Sequence, residues 1–355
     1  METTRPKLTL ERELLDLLGG GRDARIAARY HGLDGRGGET LQSIGNAFGL
    51  TRERVRQIVA TTSARLRGGR PVPRMLNRTI AFVADLIPAA APVIEAKVIE
   101  AEMWSQGLTA GSFRLEGLIR ATELLRMRLP FAMTEVSGER LVHVQDIPQL
   151  HSIVHIARRV VARYGIATVS KVAAKLCEKA PGVNSWNLVT SVLAHERGFR
   201  WLDRSGEWFW SETGINPALH RIRKILSVVS SARASDLLAG ITRSARMKGF
   251  SPPIEVLLEF CRQAPGLHVG DNAIEAKSRV NPDEVLSQIE RQIVHTLSQN
   301  GGTVTVSEIR SVCLRMGLNF TTCRLYLVNS PFILKYGHNR YGLIGYGEEI
   351  LSGVA

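Results

Sequence analysis

Between Thr40 and Arg67, apolar residues recur at helical spacing in two short runs broken by a glycine. Leu41, Ile44, Ala47 and Phe48 fall on one face, and Thr40 ahead of them is a natural N-cap. Gly49 ends the run, because it tolerates the left-handed backbone of a helix C-terminus, and Leu50 follows as a plug between the two segments. Thr51 caps the second run, with Glu53 in its first turn, where a carboxylate suits the positive end of the dipole. Val55, Ile58 and Thr62 are its inward positions. The pattern predicts a helix, a tight turn and a second helix.

That inward set leaves Arg52, Glu53, Arg54, Arg56 and Gln57 pointing outward. A guanidinium, a carboxylate and a carboxamide on one helical turn suit the major groove. Arginine can clamp guanine, glutamine can read adenine, and glutamate can accept from cytosine, while further arginines hold phosphates. An amphipathic helix with merely solvated charges is the bland alternative, but the preceding helix and turn complete a helix-turn-helix.

Tyr30-His-Gly-Leu-Asp, followed by Thr40-Leu-Gln-Ser-Ile-Gly-Asn-Ala-Phe-Gly-Leu-Thr-Arg-Glu-Arg-Val-Arg-Gln-Ile, resembles region 4 of primary bacterial sigma factors over about residues 8 to 67. The resemblance implies a domain that reads the promoter near position minus 35 and packs on the flap of the RNA polymerase beta subunit. It implies base reading by Arg52, Glu53 and Gln57, and backbone contacts by Arg54 and Arg56, with Thr40, Thr51, Arg65 and Arg67 completing the phosphate set. Val59 and Thr61 depart from the acid and lysine usual after Gln57-Ile58. No aromatic-rich segment for melting the minus 10 element accompanies the domain. The expectation is therefore a borrowed reading head, not a working sigma factor.

After Gly68-Gly-Arg-Pro-Val-Pro-Arg, whose glycines and prolines read as a linker, the chain repeats itself. Gly138-Glu-Arg-Leu-Val, Gly206-Glu-Trp-Phe-Trp, Gly270-Asp-Asn-Ala-Ile and Gly337-His-Asn-Arg-Tyr recur at spacings of 68, 64 and 67 residues. Ser170, Ser235 and Ser307 keep the same beat before apolar-periodic runs and read as helix N-caps. Phe199-Arg-Trp-Leu with Glu207-Trp-Phe-Trp reads as a hairpin, as does Phe332-Ile-Leu-Lys-Tyr with Arg340-Tyr-Gly-Leu-Ile. Three helices and then a hairpin resemble a winged helix. The expected fold is mainly α: a helix-turn-helix domain over 1–67, a linker over 68–76, and winged-helix-like modules over 77–146, 150–213, 216–277 and 285–346. The third helices of the second and third modules, from Ser185 and Pro253, are mostly apolar, and that of the fourth, from Phe320, is intermediate. Nonspecific backbone tracking, protein docking and a structural scaffold are all open roles for the array, and base reading by it is disfavoured.

Charge agrees with a nucleic-acid partner: 46 Lys and Arg against 33 Asp and Glu give a net +13 over 355 residues. The repeats contribute Arg158, Arg159, Arg163, Lys171, Lys175, Lys179, Arg221, Arg223, Lys224, Arg243, Arg246 and Lys248. No apolar run of membrane-spanning length occurs, and the opening Met-Glu-Thr-Thr-Arg-Pro is no secretory signal. Cys177, Cys261, Cys313 and Cys323 are too scattered for a zinc half-site and read as free, small hydrophobes in a reducing cytoplasm. His151 and His155 have zinc-compatible spacing without a third ligand. Gly19-Gly20-Gly21 and Gly35-Arg-Gly-Gly lack the Gly-Lys-Ser/Thr ending of a phosphate loop. Trp201, Trp208 and Trp210 could stack bases, though alternating wing residues usually pack on their own helices. With no catalytic residues, cofactor or metal indicated, the chain reads as a non-enzyme. The expectation is a bacterial, nucleoid-associated regulator that binds specific duplex DNA. Two alternatives stand beside it. One is an adaptor docked on RNA polymerase through Leu14, Leu17, Leu18 and Ile26, whose repeats hold another protein. The other is the DNA-recognition subunit of a mobile-element or defence complex.

Overall fold

The computed structural model describes residues 8–67, 73–87, 93–144, 150–178, 185–212, 214–271, 273–299, 303–315, 317, 319–336 and 340–345. Helices α1 (Leu10–Leu17), α2 (Gly21–His31), α3 (Leu41–Phe48) and α4 (Arg52–Ala64) come first, and a short 3-10 turn, Arg65–Arg67, closes α4. A recurring unit follows. Its first copy is α5 (Arg74–Leu86), β1 (Val93–Glu95), α6 (Ala96–Ser105), α7 (Leu115–Leu125), β2 (Phe131–Val136) and β3 (Glu139–Val144). The second is α8 (Leu150–Tyr164), β4 (Ala167–Thr168), α9 (Val169–Cys177), α10 (Ser185–Ala194), β5 (Phe199–Trp201) and β6 (Trp208–Ser211). The third is α11 (Pro217–Leu226), β7 (Ser231–Ala232), α12 (Ala234–Thr242), α13 (Ile254–Gln263), β8 (Leu267–Val269) and β9 (Ile274–Ala276). After the one-turn α14 (Pro282–Val285), the fourth is α15 (Gln288–Gln299), β10 (Thr303–Thr305), α16 (Val306–Arg315), α17 (Phe320–Asn329), β11 (Ile333–Tyr336) and β12 (Arg340–Leu343).

In every copy the strand after the first helix pairs antiparallel with the last strand, giving the orders β1-β3-β2, β4-β6-β5, β7-β9-β8 and β10-β12-β11. Each unit thus has the expected three helices and hairpin, with one further strand that periodicity did not reveal. β4 and β7 are two residues long, below the length at which alternation is readable. The repeated glycines mark the hairpin turns. In β2–β3, where Val136 faces Glu139, Ser137 and Gly138 both have positive φ, as a two-residue primed turn requires. Gly337 lies outside the described residues.

The helix starts differ from expectation. Ser170, Ser235 and Ser307 sit inside α9, α12 and α16. Thr168 caps α9 by accepting from the Lys171 N–H. Thr305 caps α16 in a reciprocal box with Glu308, each accepting the other's backbone N–H. Arg233 precedes α12 with no side-chain cap. The two threonines are extended at the strand end, which leaves the serines already helical. Helix α5 likewise starts at Arg74, inside the stretch expected as linker, while residues 68–72 and the Lys179 of the basic set lie outside the described residues.

The chain divides into two compact units, residues 1–152 with 182–196, and residues 153–181 with 197–355. In the first, Leu10, Leu14 and Leu18 of the α1 segment, Ala24, Ala27 and Ala28 of α2, and apolar residues of α5, α6, α7, β2 and β3 share one core. Arg140 of β3 clasps Glu100 and Glu116 there, and Glu100 also accepts the Leu115 N–H at the start of α7.

In the second unit the repeats interlock. The Trp210 indole donates to Gln263 of α13 at 2.9 Å and meets Phe260 edge-on. It thus packs on a helix of the next repeat. Tyr164 stacks on Phe250, and Arg243 donates to the Leu327 carbonyl. Cys313 and Cys323, expected to be free, form a disulfide across the turn between α16 and α17. Cys177 is exposed and not a core hydrophobe, whereas Cys261 is buried, which pushes its thiol up to about 12. Among the described residues no helix is long and apolar enough to cross a membrane.

Candidate nucleic-acid interface

The helix-turn-helix has its own small core. Ile26 of α2, Ile44 of α3 and Val55, Ile58 and Val59 of α4 are buried together, and Tyr30, Leu41, Phe48 and Leu50 close its edge. Helix α2 therefore serves two cores, turning its alanines one way and Ile26 with Tyr30 the other. Ala47, expected on the inner face of α3, is exposed, because Gly45 takes the place beneath the turn. A Cβ on Gly45 would lie 2.6 Å from the Leu50 carbonyl oxygen, so the sharp turn needs a residue without one. Gly49 adopts the left-handed conformation, with φ 64°, and donates to the Gly45 carbonyl. The caps are as expected: Thr40 Oγ1 accepts the Ser43 N–H at 3.1 Å, and Thr51 Oγ1 accepts the Arg54 N–H at 3.2 Å.

Four long-range contacts that spacing could not reveal hold α3 and α4 in place. Arg29 of α2 makes a two-pronged ion pair with Glu39, 2.6 Å on each prong, and lies over the Phe48 ring. This pairing holds the Glu39 carboxyl below its usual range. Arg22 donates to the Phe48 carbonyl at the end of α3. His31 Nε2 and Ser63 Oγ, both buried, lie 2.8 Å apart and tie the end of α4 to α2. Arg120 of α7 donates to His31 Nδ1, and Gly117 of α7 sits so close to the Gly32 carbonyl that a Cβ would approach it to 2.2 Å. The third helix of the first repeat is thus packed on the scaffold of the helix-turn-helix.

On the far side of α4 the residues Arg52, Glu53, Arg54, Arg56 and Gln57 are all exposed. They form a mutually paired surface. Arg56 grips Glu53 through Nε and Nη2 at 2.9 and 2.7 Å, Gln57 donates to Glu53 at 3.3 Å, and Arg54 donates to Gln57 Oε1 at 3.3 Å. The Arg56 guanidinium holds the Glu53 carboxyl below its ordinary value, keeping it ionised and able only to accept. Among the described residues, no partner engages the Arg52 guanidinium. Arg65 is exposed in the 3-10 turn, and the side chain of Arg67 lies outside the described residues. All of these contacts are solvent-exposed ones that water or phosphate can replace at small cost.

The remaining candidates separate from this surface. Leu14, Leu18 and Ile26, the expected polymerase-docking residues, are fully buried, and Leu17 is half-buried. They are core positions and cannot form a docking face. Part of the basic set in the repeats is also engaged: Lys224 with Glu290, Lys171 with the Gly249 carbonyl and the Tyr164 ring, and Arg243 with Leu327. Trp210 is buried and Trp201 and Trp208 half-buried, so Trp210 at least is unavailable for stacking. His151 and His155 are exposed on α8.

Residues 25–68 match the family described as Sigma-70, region 4, a span that runs from within α2 to just past the 3-10 turn. No curated protein matches the chain. Sigma-70 region 4 is a helix-turn-helix DNA-binding domain, and a DNA-binding role for the amino-terminal domain follows from the match.

Proposed function

We propose that this protein binds a specific duplex DNA site through α4 and regulates bacterial transcription, without catalysing a reaction. The reading rests on one observation: within the stretch matching sigma-70 region 4, five neighbouring charged or amide side chains of α4 face solvent on a rigidly held helix. With α4 in the major groove, Arg52, Glu53 and Gln57 meet base edges, and Arg54 and Arg56 meet phosphates. The hydroxyls of Thr40 and Thr51 already accept cap hydrogen bonds but can still donate to phosphate oxygens, alongside Arg65 and Arg67. On binding, the Glu53–Arg56 pair opens, so that Arg56 exchanges a carboxylate for a phosphate.

RNA polymerase is a second partner that the same match supports, through a surface other than the buried leucines. Binding-site selection from a random duplex library, using the whole chain, tests the main reading. The expected result is one short enriched motif. Recovery of no motif, combined with retention of RNA polymerase in a pull-down, would favour the adaptor reading instead.

A further inference from the structure

A cleft of about 740 Å³ opens in the second unit, away from α4 in sequence and lined by α11, the 3-10 turn Ala245–Met247, α15 and the end of α17. Such a volume is that of a small-molecule site. Its basic lining is Arg221 and Lys224 from α11 and Arg246 from the 3-10 turn, with His220 beside them. Glu290 supplies the carboxylate, but it is already consumed. It accepts the Lys224 ammonium on both oxygens at 2.8 Å and the Ser287 N–H at 2.8 Å, and it is buried.

That pairing neutralises Lys224 and leaves Arg221 and Arg246 as two like charges beside one another. No carboxylate is hydrogen-bonded to either guanidinium among the described residues. Burial pushes the Arg221 guanidinium below its ordinary value, and the neighbouring Arg246 adds to the effect. Burial likewise lowers the His220 imidazole, which keeps it neutral at pH 7 and able to accept or donate. The site therefore carries a net positive charge from Arg221 and Arg246, which Glu290 offsets at Arg221 only through space. At the cleft wall the Ser330 hydroxyl, 3% exposed, has no hydrogen-bond partner among the described residues. A buried hydroxyl left unpaired is costly unless something occupies the space beside it. The rest of the lining includes apolar and aromatic groups, Leu325, Tyr326 and Pro331 at the end of α17 and Ile215 and Pro217 at the start of α11, with Ile215 90% exposed.

We propose that this cleft binds a small phosphate ester with an aromatic or apolar body, of nucleotide size. Arg221 and Arg246 hold the phosphate oxygens, the Ser330 hydroxyl donates to the same group, and the body lies against Tyr326 and Leu325. Two guanidinium groups suit a dianionic phosphate better than a single carboxylate, because each can offer a two-pronged donor pair to it. A recessed site with an apolar wall also suits a molecule that can enter it. A phosphate of continuous duplex DNA, held at a convex surface, cannot carry its base into the cleft. The inference does not depend on what α4 reads.

Calorimetric titration of the full chain with adenosine diphosphate, inorganic pyrophosphate and a short duplex DNA tests it. The expected result is saturable one-to-one binding of the diphosphate, with pyrophosphate weaker because it lacks the body. Arg246→Ala, at an exposed position, should weaken the diphosphate about tenfold or more while leaving the far-UV circular dichroism unchanged. Ser330→Ala separates ligation from structure. It removes an unpaired buried hydroxyl, so a purely structural role predicts equal or higher stability and unchanged affinity, whereas ligation predicts lost affinity. Absence of saturable binding, affinity untouched by both variants, pyrophosphate binding as tightly as the diphosphate, or displacement by duplex DNA with the same variant dependence would each overturn the proposal.

Discussion

Arg29→Ala should loosen the helix-turn-helix without touching a DNA-facing residue. In the folded protein Arg29 Nε and Nη2 each lie 2.6 Å from a Glu39 oxygen, and Glu39 also accepts the Ser43 hydroxyl. The Arg29 carbonyl accepts the Glu39 N–H, so the pair closes a ring between the end of α2 and the start of α3. The two side chains are 28% and 24% exposed, well below a free surface pair. Exposed pairs are worth at most about 1 kcal/mol, while hydrogen bonds to charged groups contribute about 1.5–3 kcal/mol. A fork geometry at this burial falls between, at about 1–2 kcal/mol. A body of 150–250 residues shifts by about 2–4 °C per kcal/mol, so the unfolding transition of the first unit should fall by about 2–8 °C. Specific DNA affinity should fall with it, because α4 is aimed by α3.

The same pair sets a pH signature. Pairing lowers the Glu39 pKa below its ordinary 4.5, so its stabilisation is complete above that value and fades as the pH falls through the lower folded one. Thermal denaturation of wild type, Arg29→Ala, Glu39→Ala and the double variant, at pH 7 and near pH 3, measures both. The coupling between the substitutions should be about 1–2 kcal/mol at pH 7 and shrink towards pH 3. A coupling below about 0.3 kcal/mol at pH 7, or one that does not change on acidification, refutes the reasoning.

In a binding-site selection, Arg52→Ala should relax preference at one base pair, at a cost of about 1–3 kcal/mol on the best site. Arg56→Ala should weaken all sequences alike and reduce the slope of log affinity against log salt by about one, measured by fluorescence anisotropy across a salt series. Gly45→Ala forces a methyl group against the Leu50 carbonyl and should destabilise the domain by about 1–3 kcal/mol in urea, with loss of DNA binding. Arg140→Ala strands the buried Glu100 and should cost about 2–4 kcal/mol. Glu100→Gln combined with Arg140→Met should recover much of that in the same urea experiment.

What the sequence disclosed was local. Thr40, Gly49 and Thr51 announce the helix-turn-helix because a cap or a left-handed glycine acts within four residues of itself. The glycine beat found the hairpins for the same reason. The misses are the contacts that span distance. Nothing near Arg29 in the chain identifies Glu39 as its partner, and Ser63 has no visible role until His31 is brought 2.8 Å from it. Val59 is inward because α2 covers a wider face of α4 than a two-helix motif requires. The cap positions slipped by two residues because very short strands place a threonine ahead of Ser170 and Ser307, and Arg233 ahead of Ser235. Leu14, Leu18 and Ile26 looked like docking residues only until α5, α6, α7 and α4 were set against them.

The way the repeats use their surfaces bears on how the whole protein meets DNA. A winged helix that reads bases leaves its third helix open and its wing free. In the first repeat, α7 is instead spent on α2, with Gly117 against Gly32 and Arg120 on His31. In the second, the wing places Trp210 on Phe260 and Gln263 of α13. In the third, α12 carries Gly240, where a Cβ would lie 2.2 Å from the Pro331 carbonyl, and α13 exposes Glu255 beside a half-buried Glu259. Carboxylates at that position repel phosphate. Each of these three repeats has turned a face that could be offered to DNA into a joint with a neighbour, or has given it the wrong charge. The net excess of 13 positive charges therefore overstates what the repeats can give to a phosphate backbone, since Lys224, Lys171, Arg243 and Arg140 are engaged inside the protein. Within the first unit, the packing of α7 on α2 makes the first repeat a mount for the helix-turn-helix, whose α4 is the proposed reading surface. The rigidity matters because a recognition helix that carries both its acid and its bases on one turn discriminates only if its angle of entry is fixed.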